Sequence, residues 1–403
     1  MYNKGITRQP IAIPAYIIQI RHVDKNQKAD LGSLHVTTTA PPPLDVSQPA
    51  FHLEDLPSRL PSPSTSSQKH PPPSNSFTHY LHLHTHLTLF SLLGTLTRLG
   101  LLHLTTYPSA PLPPLFWPQF AGSLIMGFLL EDKSLLFPTS TTPSTAKTSM
   151  PLYLGLTSGY CGSVTAFSSF MLGAFDELSN MGQSGRGRKR RDDVAAMLAY
   201  VIGTLAVSLA GLQVGAHLAV FARGVMPTSR RGAQVCRWID ILAMPLSLAL
   251  WIAATLMSIF IKKWRGNVLL ACVFSPPGAI LRFWISRWGN PVRKSFPLGT
   301  FMVNMLGTAV LAGLLIGRYA HSGGGGDNTC GVLRGLGDGF CGCLTTVSTF
   351  VVEIRGLMTG HTYIYAGASI VVGLCLMILI LGSYARSDML EINGAVDFRY
   401  LPV

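Results

Sequence analysis

The sequence predicts an all-α integral membrane protein in which two inverted four-helix repeats are joined by a single linking transmembrane helix. Three observations support this fold class. Only 12% of the 403 residues are charged and 48% are hydrophobic, whereas soluble proteins carry about 25% charged residues. Apolar segments of spanning length recur along the chain, and the same motifs appear twice in the same order. This pattern indicates several bilayer-spanning helices.

The N-terminal region is unlike the rest of the chain. Residues 1–76 are rich in Pro, Ser, Thr and His and contain no sustained apolar run. Such a segment cannot bury enough apolar surface to offset the entropy of ordering. We therefore predict a disordered tail over residues 1–80, without the apolar core of a secretory signal.

Nine apolar segments follow, each near the roughly 20 residues that cross the hydrocarbon core. They cover residues 84–104, 112–130, 151–176, 194–222, 240–261, 266–286, 297–317, 330–353 and 362–385. The net charge of +13 comes largely from loop Lys and Arg residues, which fall on both sides and leave the absolute orientation open. Because the aromatic residues lie in apolar runs, away from these charges, nucleic-acid binding is not expected.

Three motifs recur at a nearly constant offset. GTLTR at 94–98 returns as GAILR at 278–282, and Gly122 returns as Gly307. GYCGSVTAFSSF at 159–170 returns as GFCGCLTTVSTF at 339–350, with six of twelve positions identical. We predict a first repeat at 81–223, a linker with one helix at 224–264, a second repeat at 265–386 and a C-terminal tail at 387–403. Because one added span reverses the direction of the chain, the repeats are expected to be inverted.

The duplicated stretch predicts a broken third helix in each repeat. Each glycine lowers helix stability by about 1 kcal/mol relative to alanine, and the stretch places several of them in mid-segment. Broken backbone at membrane depth must be buried or face water. Its carbonyls can then bind a cation, and its amides and hydroxyls an anion. Close packing of two helices through small residues is the alternative, and the residues leave both open.

Two further features of the spans bear on function. Arg98 and Arg282 occupy matching places in the first helix of each repeat, where a charge is costly and indicates function or structural pairing. Phe167 and Phe170 lie three residues apart and so share a helix face. Since an aromatic ring has a positive edge, such a face can hold an anion without a fixed charge. Ordinary core or lipid-facing phenylalanine is the alternative.

Other residue types point away from enzymatic or metal chemistry. The seven cysteines lie mostly in apolar segments, and their odd number argues against a disulfide framework. His79, His82, His84 and His86 are expected at the membrane edge, with a metal site as the alternative. No nucleophile–base pair or phosphate loop stands out, so the chain is not expected to be an enzyme.

These motifs, together with GTFMVNMLGT at 299–308, resemble the fluoride channel family known as CrcB or Fluc. Bacterial members are four-helix chains that form antiparallel dimers, whereas eukaryotic members fuse two units through a linking helix. The chain resembles the fused, fungal-type fluoride exporters over about residues 84–385. The resemblance implies passive export of fluoride by a multi-pass, monomeric pseudo-dimer in the lipid bilayer of the plasma membrane.

The resemblance also assigns residues by position. Pore and fluoride-binding positions fall on Phe167, Phe350, Asn304, Thr300, Tyr200, Thr204, Ser208, Thr346 and Ser348. A second, decayed pore would contain Val347, Phe170, Gln119, Tyr365 and Ser369. Arg98 and Arg282 would be structural charges. The backbone carbonyls of Gly162, Thr165, Gly342 and Thr345 would hold a central sodium ion, with no organic cofactor.

Departures from the family pattern suggest that the two pores are unequal. Val347 replaces a phenylalanine, Gln119 an asparagine and Leu115 a threonine. We therefore predict one competent pore assembled across both repeats, with Phe350 more important than Phe170. Two other functions stay open. A coupled small-solute or drug exporter requires a membrane-embedded acid such as Glu353, and a non-transporting scaffold would recruit partners through the tail.

Overall fold

The first repeat contains helices α1 to α5 in the computed structural model of the chain. These helices are α1 (Ser76–Thr105), α2 (Phe116–Glu131), α3 (151–164), α4 (Phe167–Ser179) and α5 (Arg190–Val225). The structure describes residues 76–132, 136, 147–180, 189–225, 230–322 and 327–384. The predicted C-terminal tail and most of the predicted N-terminal tail lie outside these residues.

The linking helix comes next, and the second repeat then has the same order of helices as the first. They are formed by α6 (Arg230–Phe260), α7 (262–289), α8 (Leu298–Ser322), α9 (327–344), α10 (Ser348–Gly356) and α11 (359–382). A short 3-10 turn, Asn290–Val292, separates α7 from α8. Each of the nine predicted segments is therefore helical. Six helices of the described chain are long and apolar enough to cross a membrane.

Some boundaries differ from the prediction for local reasons. α1 begins at Ser76, eight residues before the predicted span and inside the predicted tail. In this stretch the ring nitrogens of His84 and His86 lie within hydrogen-bond distance of partners in the fold. α2 begins only at Phe116, since Pro113 and Pro114 precede it and proline restricts the helical conformation of its neighbour.

The third helix of each repeat is broken, as predicted. α3 ends at Val164, after which Thr165 and Ala166 are extended, with ψ angles of 142° and 117°. α9 ends at Leu344, and Thr345 is extended with ψ 156°. In both repeats a π-helical turn, Gly155–Cys161 or Leu336–Cys341, comes just before the last helical residues. Such wide turns are frequent at functional sites.

The linking helix α6 packs along α1 and α7. His86 is fully buried on α1, and its Nε2 lies 2.9 Å from Asp240 Oδ1 on α6. The other ring nitrogen, Nδ1, lies 2.7 Å from the carbonyl oxygen of His82. Both nitrogens thus face oxygen atoms, one on α6 and one on α1. His86 thus joins α1 to α6, and no group of three His, Cys, Asp or Glu side chains in the described chain is placed to hold a metal ion.

The short half-helices after the breaks connect the two repeats. α4 packs against α5 of its own repeat and also against α8 and α11 of the second. α10 packs against α11 of its own repeat and against α2 and α5 of the first. The core between them contains Phe167, Phe170 and Phe350, all fully buried. The two repeats therefore share one interior.

Candidate functional site

The two helix breaks meet and cap one another. The hydroxyl of Thr165 accepts hydrogen bonds from the backbone N–H groups of Val347 and Ser348, at 3.2 and 3.0 Å. These amides belong to the first turn of α10, where a helix leaves its N–H groups without intrahelical partners. An oxygen at this place stabilises the helix as an N-cap does. Here the cap comes from the other repeat.

The second repeat returns the same contact. The hydroxyl of Thr345 accepts a hydrogen bond from the backbone N–H of Ser168, at 3.1 Å, in the first turn of α4. It also lies 3.0 Å from the hydroxyl of Ser168. Because each break supplies the cap for the opposite half-helix, the two breaks form one unit.

Asn304 on α8 holds the main chain of the second break at two points. Its Oδ1 accepts from the N–H of Thr346 at 2.9 Å, and its Nδ2 donates to the carbonyl of Thr346 at 3.2 Å. Gln119 on α2 is its positional counterpart and donates Nε2 to the carbonyl of Ala166 at 3.0 Å. Its Oε1 is buried without a hydrogen-bond partner among the described residues. The longer glutamine thus reproduces half of the asparagine contact.

Arg98 and Arg282 are buried and cross between the repeats. Arg282 Nη1 donates to the carbonyls of Gly162 at 2.7 Å and Thr345 at 3.3 Å, and its Nη2 donates to the carbonyl of Ser158. Arg98 Nη2 donates to the carbonyl of Asp338 in the second repeat. Each guanidinium thus binds backbone that the breaks and wide turns leave available. The structural role expected for both arginines stays a prediction.

Glycine is required where each guanidinium meets the opposite repeat. A Cβ atom at Gly162 would lie 2.4 Å from Arg282 Nη2, and one at Gly342 would lie 2.4 Å from Arg98 Nη1. The duplicated glycines therefore leave room for arginine.

The carbonyls predicted to bind sodium lie in the same region. Those of Gly162 and Thr345, one from each repeat, converge on Arg282 Nη1. Uncharged backbone oxygens are a donor type that hard cations accept, so the residues present fit such an ion in kind. The guanidinium already brings a positive charge to this point.

Three phenylalanines form a continuous aromatic contact at the shared interior. The rings of Phe167 and Phe350 meet edge to face, with centroids 5.4 Å apart, and Phe167 meets Phe170 in the same way at 5.7 Å. Phe350 lies 5.3 Å from the ring of Tyr365, while Phe170 lies 6.1 Å from that of Tyr200. The aromatic chain therefore ends on α11 at one side and on α5 at the other.

A buried carboxylate on α10 gathers the polar groups of the second repeat. Glu353 is 1% exposed. Its Oε1 accepts from the hydroxyl of Thr300 at 2.6 Å and from Nδ2 of Asn290 at 3.0 Å, and its Oε2 accepts from the hydroxyl of Tyr365 at 2.6 Å. Sequence reasoning placed Glu353 near the end of a segment and did not identify Asn290. The uncommon acid within an apolar segment was the available signal.

Among its described residues, the first repeat has no acid at the position that matches Glu353. Gly173 stands where the offset of 180 places the counterpart of Glu353, and a Cβ there would lie 2.3 Å from the hydroxyl of Tyr200. Tyr200 also lies 5.8 Å from the ring of Phe116. The hydroxyls of Thr204 and Ser208 donate to carbonyls of their own helix, at 2.8 and 2.7 Å. Their single protons are thereby used within α5.

These contacts differ from the grouping predicted by position. Thr300 and Asn304 were grouped with Tyr200, Thr204 and Ser208, whereas Thr300 shares Glu353 with Tyr365. Phe167 also lies on this side, since a Cβ at Gly373 on α11 would come 3.2 Å from its ring. Tyr365 and Ser369, which were grouped with the decayed pore, thus lie with Thr300, Phe167 and Phe350. Position within a repeat had not revealed which half-helix faces which partner.

Comparison with known proteins agrees with the duplicated architecture. The family model described as CrcB-like protein, Camphor Resistance (CrcB), matches residues 85–216 and again residues 269–383. The chain belongs to the CrcB-like protein family. The two matches correspond to the two repeats, and the linking helix α6 lies between them.

Relatives of this CrcB-like chain include fungal and bacterial proteins. It is 41% identical over 346 residues to "Fluoride export protein 1" of Neurospora crassa, an alignment that covers 74% of this chain and 66% of that protein. It is 36% identical over 312 residues to the protein of the same name in Candida albicans, covering 74% and 78%. "Fluoride-specific ion channel FluC 1" of Nocardia farcinica is 38% identical over 109 residues, covering 27% and 70%. No solved structure matches the chain.

Several buried hydroxyls of this CrcB-like chain have no hydrogen-bond partner among the described residues. They include Ser369 on α11, Thr308 on α8 and Ser123 on α2. Ser369 is 1% exposed and lies one helical turn beyond Tyr365. A buried hydrogen-bond donor that has no acceptor lowers the free energy of unfolding by about 1–3 kcal/mol. Such donors are available to a small anion or to water.

Proposed function

We propose that this chain is a fluoride channel that lets the anion leave the cytoplasm passively and so protects the cell. The observation that carries the proposal is a set of buried, uncharged donors beside phenylalanine rings, inside helices suited to a membrane. Membership of the CrcB-like family and the names of the relatives support fluoride as the transported ion.

We assign the competent permeation path to the side of the protein on which hydrogen-bond donors converge at Glu353. It runs along α8, α10 and α11 and past α4, and includes Phe167, Phe350, Thr300, Asn304, Tyr365, Ser369, Thr346 and Ser348. The decayed path contains Phe170, Val347, Gln119, Tyr200, Thr204 and Ser208. The hydroxyls of Thr204 and Ser208 donate to carbonyls of their own helix, and each must give up that bond before it can donate to an anion. The hydroxyl of Ser369 has no such bond.

Fluoride is small and strongly hydrated, and these two properties determine which groups a pore must provide. A pore must replace water with hydrogen-bond donors at close range, and hydroxyls and amides provide them. The hydroxyls of Thr300 and Tyr365 each donate to Glu353 at 2.6 Å. The carboxylate of Glu353 therefore occupies the position in which these two donors would bind a fluoride ion. Fluoride then passes by competing for the donors. Positive ring edges add attraction without trapping the ion.

The wider architecture follows from the same proposal. Nine crossings, with α6 as the odd one, make the repeats inverted and let one chain act as a pseudo-dimer in the plasma membrane. Arg265, near the start of α7, donates to Asn328 Oδ1 near the start of α9, at 2.7 Å, which supports the same membrane side for these two helix ends. A sodium ion held by the carbonyls of Gly162, Thr165, Gly342 and Thr345 would supply a fixed positive field at the centre.

Ion flux from liposomes tests the function. Purified protein is reconstituted into vesicles loaded with potassium fluoride, and valinomycin is added so that anion efflux is limited by the protein. A fluoride electrode should record rapid efflux, with none from protein-free vesicles and none of chloride in matched vesicles. Equal chloride and fluoride fluxes would refute selectivity, and absence of fluoride efflux would refute the function.

Because Glu353 is a buried acid, a coupled exporter is the alternative function that must be tested against a passive channel. A proton gradient imposed on the same vesicles, with the voltage held at zero by potassium and valinomycin, separates the two. A passive channel moves fluoride only down its own gradient. Uphill fluoride movement driven by protons would establish coupling instead.

A further inference from the structure

One side chain at the end of α7 connects three elements around the proposed path. Asn290 is 8% exposed and begins the short turn between α7 and α8. Its Oδ1 accepts from the backbone N–H of Thr300 at 2.9 Å. Its Nδ2 lies 3.1 Å from Thr300 Oγ1 and 3.0 Å from Glu353 Oε1. One amide thus binds the first turn of α8 and the carboxylate on α10.

The amide fixes the direction of a hydroxyl. Thr300 has a single hydroxyl proton, and its oxygen accepts from Asn290 Nδ2. The proton is therefore directed to Glu353 Oε1, at 2.6 Å. Without the amide, the carboxylate would lose one of its three donors, and the hydroxyl of Thr300 could turn away and remove a second. Asn290 thus sets the orientation of both partners.

The first repeat cannot build this arrangement. By the offset of 184 found for the first helices, Thr106 stands in the place of Asn290, while Leu115 replaces Thr300 and Gly173 replaces Glu353. Thr106 is exposed, and its hydroxyl donates to the carbonyl of Leu102 in its own helix, at 2.7 Å. The arrangement therefore belongs to the second repeat, and Thr106 offers a matched control.

We propose that Asn290 is a positioning residue of the permeation path, which holds the hydroxyl of Thr300 and the carboxylate of Glu353 in their working orientation. This inference rests on the proposed fluoride channel function. Asn290 acts through these two groups and does not itself bind the ion.

The near-isosteric change Asn290→Asp tests this role. It keeps the shape of the side chain but places an acceptor 3.0 Å from Glu353 Oε1, where a donor stood. The titratable groups that face this amide among the described side chains are Glu353 on α10 and Tyr365 on α11. Two neighbouring carboxyls repel when ionised and share a proton on acidification.

We expect Asn290→Asp to lower fluoride efflux about tenfold at neutral pH, which corresponds to about 1.4 kcal/mol. The ratio of variant to wild-type flux should rise severalfold as the pH falls from 7.5 to 6, because the shared proton restores a donor. Flux through protein-free vesicles is subtracted at each pH. The control Thr106→Asp should leave both flux and its pH profile unchanged.

Two results would overturn the proposal. One is a wild-type flux in Asn290→Asp at neutral pH. The other is a reduced flux whose ratio to wild type stays constant across pH, since a merely structural defect would not track protonation. If Asn290→Asp does not fold, Asn290→Ala is compared with Asn290→Ser, which keeps one donor. Flux of the serine variant must exceed that of the alanine variant at equal melting temperature, and equal fluxes would refute the role.

Failure of the proposed function gives a different result. If wild-type vesicles carry no fluoride, the channel assignment is wrong. If wild type conducts fluoride and the flux of Asn290→Asp is reduced by the same factor at every pH, only the positioning role is wrong.

Discussion

The hydroxyl of Thr165 in the first repeat accepts a hydrogen bond from the backbone N–H of Ser348 in the second, at 3.0 Å. Thr345 returns the contact to Ser168. Each half-helix after a break is thus capped by the opposite repeat. This exchange brings the broken backbones together at the centre of the protein and holds the aromatic rings of both repeats in one interior.

Replacing Thr165 by valine should destabilise the fold. The variant removes a cap that accepts from two backbone N–H groups, and losing such a cap costs about 0.5–2 kcal/mol. We expect a lower midpoint of thermal unfolding in detergent. Ser163→Ala is the control, because that hydroxyl is equally buried but has no hydrogen-bond partner among the described residues. Equal losses in both variants would argue against capping.

Phe350 should matter more for flux than Phe170. Phe350 lies between Phe167 and Tyr365, on the side where the donors converge, whereas Phe170 faces Tyr200. We expect Phe350→Ile to reduce fluoride efflux by about tenfold or more, or about 1.4 kcal/mol of barrier. Phe170→Ile should change it by less than about threefold. The opposite order of effects in vesicle flux would move the competent path to the α5 side.

Arg282 should contribute more to stability than Arg98. Arg282 donates to three carbonyls, two of them across the repeat boundary, whereas Arg98 donates to one across the boundary and has a buried Nη1 without a partner among the described residues. Hydrogen bonds to charged groups contribute about 1.5–3 kcal/mol. Arg282→Met should therefore lower the unfolding midpoint more than Arg98→Met. Equal midpoints for the two variants would contradict this ranking.

The contact between His86 and Asp240 should hold the linking helix against the first repeat. Asp240→Asn leaves Nε2 of a buried ring without its charged partner, while the carboxylate is partly exposed, so we expect a loss of about 1 kcal/mol. Thermal unfolding measures this loss. Asp192→Asn, at a more exposed ion pair with a 3.5 Å separation, should have no effect. Fluoride flux should persist in both, since neither residue lies on the proposed path.

Much of this architecture could be predicted from the sequence because duplication and helix breaks leave local signals. Glycine and hydroxyl residues mark the breaks at Thr165 and Thr345, and the charge of Arg98 and Arg282 stands out in apolar segments. The partners of Thr300 could not be predicted in this way. Alignment gives equivalent positions within the repeats, whereas α4 and α10 pack partly against the opposite repeat, so neighbours in space differ from neighbours by position.

The Asn290 cluster illustrates a second reason. Its members are separated by long stretches of chain, and an asparagine in a turn after a helix is ordinary in itself. Only the packing of α7, α8 and α10 brings its amide to Thr300 and Glu353. Burial then makes each of these bonds necessary, because the alternative is an unpaired polar group.

The exchanged caps impose an order on biosynthesis. Ser168 leaves the ribosome about 180 residues before Thr345, which caps its helix, so α4 must wait, uncapped, in the bilayer until the second break is made. At the usual 5–20 residues per second, this interval lasts roughly 10–40 s. Covalent fusion shortens the search that follows, because the second half arrives tethered to the first at high effective concentration. A two-chain version would depend on encounter between separately inserted halves.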